Sequence, residues 1–205
     1  MTAMEDFGCD VLVLGIGNLL WADEGFGVRC VEQLAAEWRV PDGVRLMDGG
    51  TQGLYLLPYV QGARRLIVFD AVDYGLEPGT LKLVEGEQVP RFMGAKKMSL
   101  HQTGFQEVIA AADLTGQLPQ QMLLIGVQPE QLDDYGGSLR PVIKARLAEA
   151  VALAVAQLRE WGFEPAPRDV KVGAGDTALT MGAYEAGRPS AEAASRIGDS
   201  RFMAA

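Results

Sequence analysis

A chain of 205 residues is long enough for one domain with a sizeable buried core, and 48% hydrophobic with 22% charged residues is an ordinary globular composition. A net charge of −9 argues against a nucleic-acid partner, which needs a dominant basic face, and no apolar run reaches the roughly 18 residues of a membrane span. The opening MTAMEDFGCD carries acids where a secretion signal carries bases, so the expected location is cytoplasmic.

In chain order, residues 11–14 (VLVL) form an unbroken apolar run of the kind buried on both faces of a parallel sheet. Gly15 and Gly17 then bound a tight turn, followed by the acidic pair Asp23 and Glu24 where the next helix should begin. Glu24 either favours the helix N-terminus electrostatically or is a functional carboxylate at a strand end. A strand, a Gly-x-Gly and a helix also open the dinucleotide fingerprint, but its third glycine is replaced by Leu20 and Asp48 lies too far along. Val28, Val31, Leu34, Ala35 and Trp38 mark an amphipathic helix ended by Pro41 and Gly43. Residues 44–47 are a second strand, running into Asp48-Gly49-Gly50-Thr51. A short helix over 54–59 should turn Leu54, Leu57 and Pro58 inward, and residues 66–69 form a third strand ending at Asp70.

Three apolar strands are thus each followed by a carboxylate, at the ends where open α/β sheets bind ligands. Beyond the Pro78-Gly79 turn, residues 80–84 alternate like a half-buried edge strand, and a long loop over 85–99 leads to His101. Phe105, Val108, Ile109 and Ala112 mark the next helix, and 122–127 a further buried strand. Ser138 suits an N-cap for a long helix with Val142, Ala145, Ala148, Leu153, Ala156 and Leu158 inside and Gly162 as its stop. The order of elements predicts a three-layer α/β/α fold with a mainly parallel twisted sheet of about five strands. That domain spans residues 1–164. Residues 165–205 read as a flexible Gly/Ala/Pro-rich tail whose five bases offset five acids, leaving the whole net charge on the domain.

Cys9 and Cys30 are too few and too widely spaced for a disulfide scaffold or a C-x-x-C site, and free thiols are expected. His101 is the single histidine, so any imidazole chemistry must use it. By itself it is a surface, capping or functional residue. Glu24, Asp70 and His101 together offer two carboxylates and an imidazole, a three-ligand set suited to a divalent nickel, zinc or cobalt ion with positions left open. There is no H-E-x-x-H helix of the conventional zinc proteases.

The motifs G-I-G-N-L-L (15–20), D-E-G-F-G-V-R (23–29), D-G-G-T (48–51), D-A (70–71) and S-L-H-Q-T-G (99–104), in that order, resemble the endopeptidases that mature the large subunits of nickel-iron hydrogenases, most closely those serving uptake hydrogenases. The resemblance implies removal of a C-terminal extension from the large-subunit precursor after nickel insertion. It also implies that Glu24, Asp70 and His101 contact nickel carried by the substrate, with the metal as recognition handle. Asp48 is then either a catalytic base or a turn residue shaping the site. A metal carrier without proteolysis, using the same ligands, and a nucleotide-binding protein, using the glycine turn, are the alternatives.

Overall fold

The computed structural model describes residues 7–90, 100–170 and 180–187, with backbone alone for 100–103. In chain order its strands are β1 (Cys9–Ile16), β2 (Trp38–Arg39), β3 (Val44–Gly50), β4 (Ala63–Ala71), β5 (Leu81–Glu85), β6 (Gln121–Val127) and β7 (Ala166–Pro167). Five of them form one sheet in the order β3-β1-β4-β6-β5, while β2 and β7 pair separately. All neighbours in the large sheet are parallel except β5, which runs antiparallel to β6 at the edge. This is the expected mainly parallel five-stranded sheet, with 80–84 as its edge strand.

Among the described residues the helices include α1 (Phe26–Glu37), α2 (Leu57–Gly62), α3 (Leu100–Leu114), α4 (Pro141–Lys144), α5 (Leu147–Glu160) and α6 (Met181–Gly187). Period-two alternation along the central strands sorts their side chains into two cores. Val11, Val13, Ile67, Phe69, Leu123 and Ile125 face α1 and α5. Leu12, Leu14, Leu66, Val68, Met122 and Leu124 face α2 and α3. Each such side chain contributes about 1.5–3 kcal/mol by leaving water, and the strands are apolar on both faces because both are covered.

Three helical details differ from the sequence-based expectation. Residues 53–56 form a 3₁₀ turn before α2, and its tighter winding rotates Leu54 to solvent and turns Leu56 and Val60 inward. The expected single long helix is broken at residues 145–146 into α4 and α5, and its buried face is Ile143, Leu147, Ala150, Val151, Ala154, Val155 and Leu158. Ala148 and Ala156 lie outside; alanines give too little hydrophobic contrast to fix the phase. Ser138 is not the cap. Pro141 opens α4 after an extended Arg140, as the residue before proline favours, and Ser138 Oγ donates 2.8 Å to Glu185 Oε1. Gly162 does stop α5: the N–H groups of Gly162 and Phe163 return to the carbonyls of Arg159 and Leu158.

Of the stretch read as a tail, 171–179 and 188–205 lie outside the described residues. The parts described touch the domain. β7 pairs with β2, and the Arg168 guanidinium donates to the carbonyls of Ala35 and Trp38, each 3.1 Å away at the end of α1. On α6, Glu185 accepts from Lys144 Nζ at 2.8 Å, and Met181 packs on the α1/α5 core.

Candidate active site at the carboxyl edge of the sheet

The carboxyl ends of β1, β3, β4 and β6 meet at one edge, and the motif residues collect there. After β1 the chain turns at Gly17, whose φ of +138° and contact with the Glu24 carbonyl leave no room for a side chain. The same carbonyl accepts from the Asn18 N–H at 3.2 Å. Glu24 therefore stands on a 3₁₀ turn, Ala22–Gly25, folded tightly back on the end of β1. Ala22, which starts this turn, has φ +40°, a strained value for a residue with a side chain and one that often marks functional loops. Next, Gly27 is wedged between the backbone carbonyls of Ile16 and Phe69, which docks α1 across the ends of β1 and β4.

Glu24 and Asp70 are both buried at this edge, 7% and 1% exposed. Buried carboxylates are costly unless they are hydrogen-bonded, paired or bound to metal, so two of them at one sheet edge constrain what the site does. Asp70 follows Leu66 and Val68 in the alternation, which puts its side chain on the face covered by α3. The first turns of α3 rest on the 3₁₀ turn after β3: a Cβ on Gly104 would lie 3.3 Å from the Gly53 Cα. His101 sits one helical turn before Gly104, inside α3 rather than in the loop ahead of it. Its side chain lies outside the described residues, and among those described no three His, Cys, Asp or Glu side chains group as metal ligands. Glu24 and Asp70 supply oxygen donors of the type a divalent ion accepts.

Asp48 is placed differently. It pairs with Gly15 in register, on the α1 face of the sheet and opposite to Asp70. It is open to solvent, yet the protein on its flank desolvates the carboxyl enough to raise its pKa, against the lowering effects of the Gly50 N–H and the Arg29 charge. Arg29 itself is buried on α1 and paired with Glu32 at 2.7 Å.

Asp23 is the residue whose role sequence reasoning missed. It is fully buried. Its Oδ2 accepts from the N–H groups of Glu130 and Gln131 at 2.9 and 2.8 Å, and its Oδ1 from that of Arg140 at 2.7 Å. Those donors are more than a hundred residues away in sequence, so no local pattern announces them. The contact ties the loop after β6 to the turn carrying Glu24, and the same loop is laced on by the Leu20 carbonyl accepting from Gly136 and by the Trp21–Tyr135 ring contact at 5.4 Å.

The dinucleotide alternative fails on geometry. Residues 22–30 are buried, so the start of α1 offers no open amides to a pyrophosphate. Fold and site together define an open, mainly parallel α/β domain with buried acids, rather than a phosphate loop, at its strand ends.

Comparison with known proteins makes this specific. The family model described as hydrogenase maturation protease matches residues 28–157. The "Hydrogenase expression/formation protein HoxM" of Cupriavidus necator is 58% identical over 197 residues, covering 94% of this chain and 98% of that one. HupM of Azotobacter chroococcum, described in the same words, is 61% identical over 201 residues, covering 95% and 94%. The solved hydrogenase maturating endopeptidase HybD from E. coli superposes with a TM-score of 0.73 at 39% identity, covering 78% of this chain and 98% of that one. The chain belongs to the hydrogenase maturation protease family, and its activity is that of an endopeptidase in hydrogenase maturation.

Proposed function

We propose that the substrate is the large-subunit precursor of a nickel-iron hydrogenase, and that the protease removes its C-terminal extension once nickel is in place. Nickel is part of that substrate. The carboxylates of Glu24 and Asp70 and the imidazole of His101 meet it as protein ligands, leaving positions for the precursor's own groups. The observation that carries this reading is the burial of two carboxylates at one sheet edge, beside which the His101-bearing turn of α3 is seated.

In the hydrolysis, water adds to the scissile carbonyl and the peptide separates into a carboxylate and an amine. Asp48 is assigned the proton-accepting role, supported by its accessibility and its raised pKa, which makes it a stronger base than an ordinary aspartate. Two cysteines, too few and too widely spaced for a disulfide scaffold, accord with a reducing, cytoplasmic setting for this reaction. The test is incubation of the purified protein with nickel-loaded and nickel-free precursor, read by mass. Shortening of the loaded form alone is expected. Stable capture without shortening would make the protein a carrier, and equal cleavage of both forms would remove nickel from the reading.

A further inference from the structure

The loops that leave the carboxyl edge of the sheet are stitched side to side into one platform. The Gly50 carbonyl at the end of β3 accepts from the Gly17 N–H at 3.1 Å, which joins the 51–56 turn to the 17–25 turn. The Leu20 carbonyl accepts from the Gly136 N–H at 2.6 Å and joins that turn to the loop after β6. Gln128, at the root of the same loop, accepts from the Tyr74 and Leu76 N–H groups at 2.7 and 3.1 Å and so holds the loop after β4. Glu24, Asp48 and Asp70 lie within these loops or at their roots.

The platform bears exposed apolar side chains. Among the described residues eight large ones are exposed, and five of them, Leu20, Leu54, Tyr55, Leu76 and Tyr135, stand on these loops. They are presented from a fixed frame: the Leu20 and Leu76 amides are bonded to Asn18 Oδ1 and Gln128 Oε1, and the Tyr135 ring packs on Trp21 at 5.4 Å between centres. Apolar side chains grouped on a pre-formed surface mark a place that another molecule covers.

The charge of the same surface indicates the kind of partner. Residues 17–25, 51–56, 72–80 and 128–140 include one base, Arg140, and Asp134 holds it at 2.9 Å. Against it Asp73, Glu77, Glu130 and Asp133 are exposed on these loops, and Asp48 is exposed near the end of β3. Lys82, next along on β5, is turned over the Tyr74 ring. At the amino edge, by contrast, stand Arg45, Arg64 and Arg65, at the starts of β3 and β4, and Arg159, near the end of α5, with Asp10 and Glu164 as partners for Arg64 and Arg159. Negative charge is thus directed to the face that carries the apolar side chains, and it favours a partner with basic groups.

We propose that this platform docks an extended segment of the precursor, beside the bond to be cut, that carries apolar side chains together with basic ones. An endopeptidase must hold the chain next to the scissile bond as well as the bond itself. Leu20 stands on the turn that leads into Glu24, and Tyr55 on the turn that follows Asp48, so a chain lying across the acids meets apolar contact from both turns. The inference rests on the reading of the precursor as substrate and names what this surface recognises in it.

The full-length protein is compared as wild type, Leu20→Ser, Tyr55→Ser, the double variant Glu130→Gln/Asp133→Asn, and Leu114→Ser, with precursor Kd, steady-state cleavage and melting temperature measured on each. Leu114, 90% exposed at the far end of α3 from His101, is the control and should match wild type throughout. Leu20→Ser and Tyr55→Ser should each raise Kd and KM about three- to tenfold, with kcat within about twofold and melting within about 2 °C of wild type. Raising salt from about 0.1 to about 1 M shortens the screening length from about 10 to about 3 Å. Wild-type kcat/KM should then fall several-fold, and that of the double variant by less. Unchanged Kd and KM in folded Leu20→Ser and Tyr55→Ser, with wild type still cutting the precursor, would overturn this inference alone. A salt response that is flat in wild type, or the same in the double variant, would overturn the basic segment. A wild-type dimer that Tyr55→Ser dissociates would give the surface to a second copy of this chain and overturn the docking of precursor. A wild type that neither binds nor shortens the precursor would overturn the substrate reading and this inference with it.

Discussion

Replacing Asp23 by alanine is the sharpest perturbation of the site's scaffold. The carboxylate accepts three backbone N–H bonds of 2.7–2.9 Å inside a fully buried turn. Hydrogen bonds to an ionised acceptor are worth about 1.5–3 kcal/mol each. The simple sum overstates the loss, because Glu130 is exposed and the Gln131 and Arg140 positions are half-buried, so water can reach some of the released amides. A net loss of about 3–5 kcal/mol is expected, which for a chain of this size is a fall of about 10–15 °C in melting temperature. Asp23→Asn should fall by a smaller amount, since it keeps one carbonyl oxygen but turns an NH₂ group towards amide donors. Thermal denaturation measures the global effect. Amide hydrogen exchange at Glu130, Gln131 and Arg140 measures whether the loop opens first. An Asp23→Ala protein melting within about 2 °C of wild type, with those amides still protected, would refute the clamp.

Other expectations follow from single contacts. Gly17→Ala forces a side chain into a φ of +138° and against the Glu24 carbonyl, so it should cost about 1–3 kcal/mol and abolish precursor cleavage in the fraction that still folds; full activity would show that Glu24 tolerates displacement. Arg168→Ala frees two carbonyls at the end of α1 and should lower stability by about 1–2 kcal/mol in denaturant titration, with cleavage per folded molecule unchanged. Asp48 has a raised carboxyl pKa, so its ionisation works against folding as pH rises through the carboxylate range. Asp48→Asn should therefore be at least as stable as wild type at pH 7, lose that advantage near pH ~4, and cleave far more slowly; a variant that cleaves normally would leave Asp48 as a turn residue.

What was legible in the sequence is what period and composition encode. The apolar runs at 11–14, 44–47, 66–69 and 122–127 became the four parallel strands, and the alternating run at 80–84 became the antiparallel edge. Helical spacing found the buried faces of α1 and α3 because Val28, Val31, Leu34, Phe105, Val108 and Ile109 contrast strongly with their neighbours. Along α4 and α5 it placed Val142, Leu153 and Leu158 against the core but misplaced Ala145, Ala148 and Ala156, and it failed for Leu54, where a 3₁₀ turn replaced the assumed winding.

The site divides along a similar line. Strand-end acids were visible because a parallel sheet gathers the ends of consecutive strands, so a carboxylate after each run predicts a shared edge without any knowledge of side-chain direction. Direction is decided by pairing register, which only the folded sheet supplies: Asp70 shares a face with Gly126 and Lys82, while Asp48, opposite Gly15, is turned to α1 and Arg29. The group that sequence could not reveal, Asp23, acts through partners on the loop after β6 and at the start of α4. These partners are backbone amides, which carry no residue signature. An acid pair such as Asp23-Glu24 therefore reads as one feature in the chain and performs two tasks in the fold, the first residue fastening the loop after β6 and the second presented at the edge that the loop helps to shape.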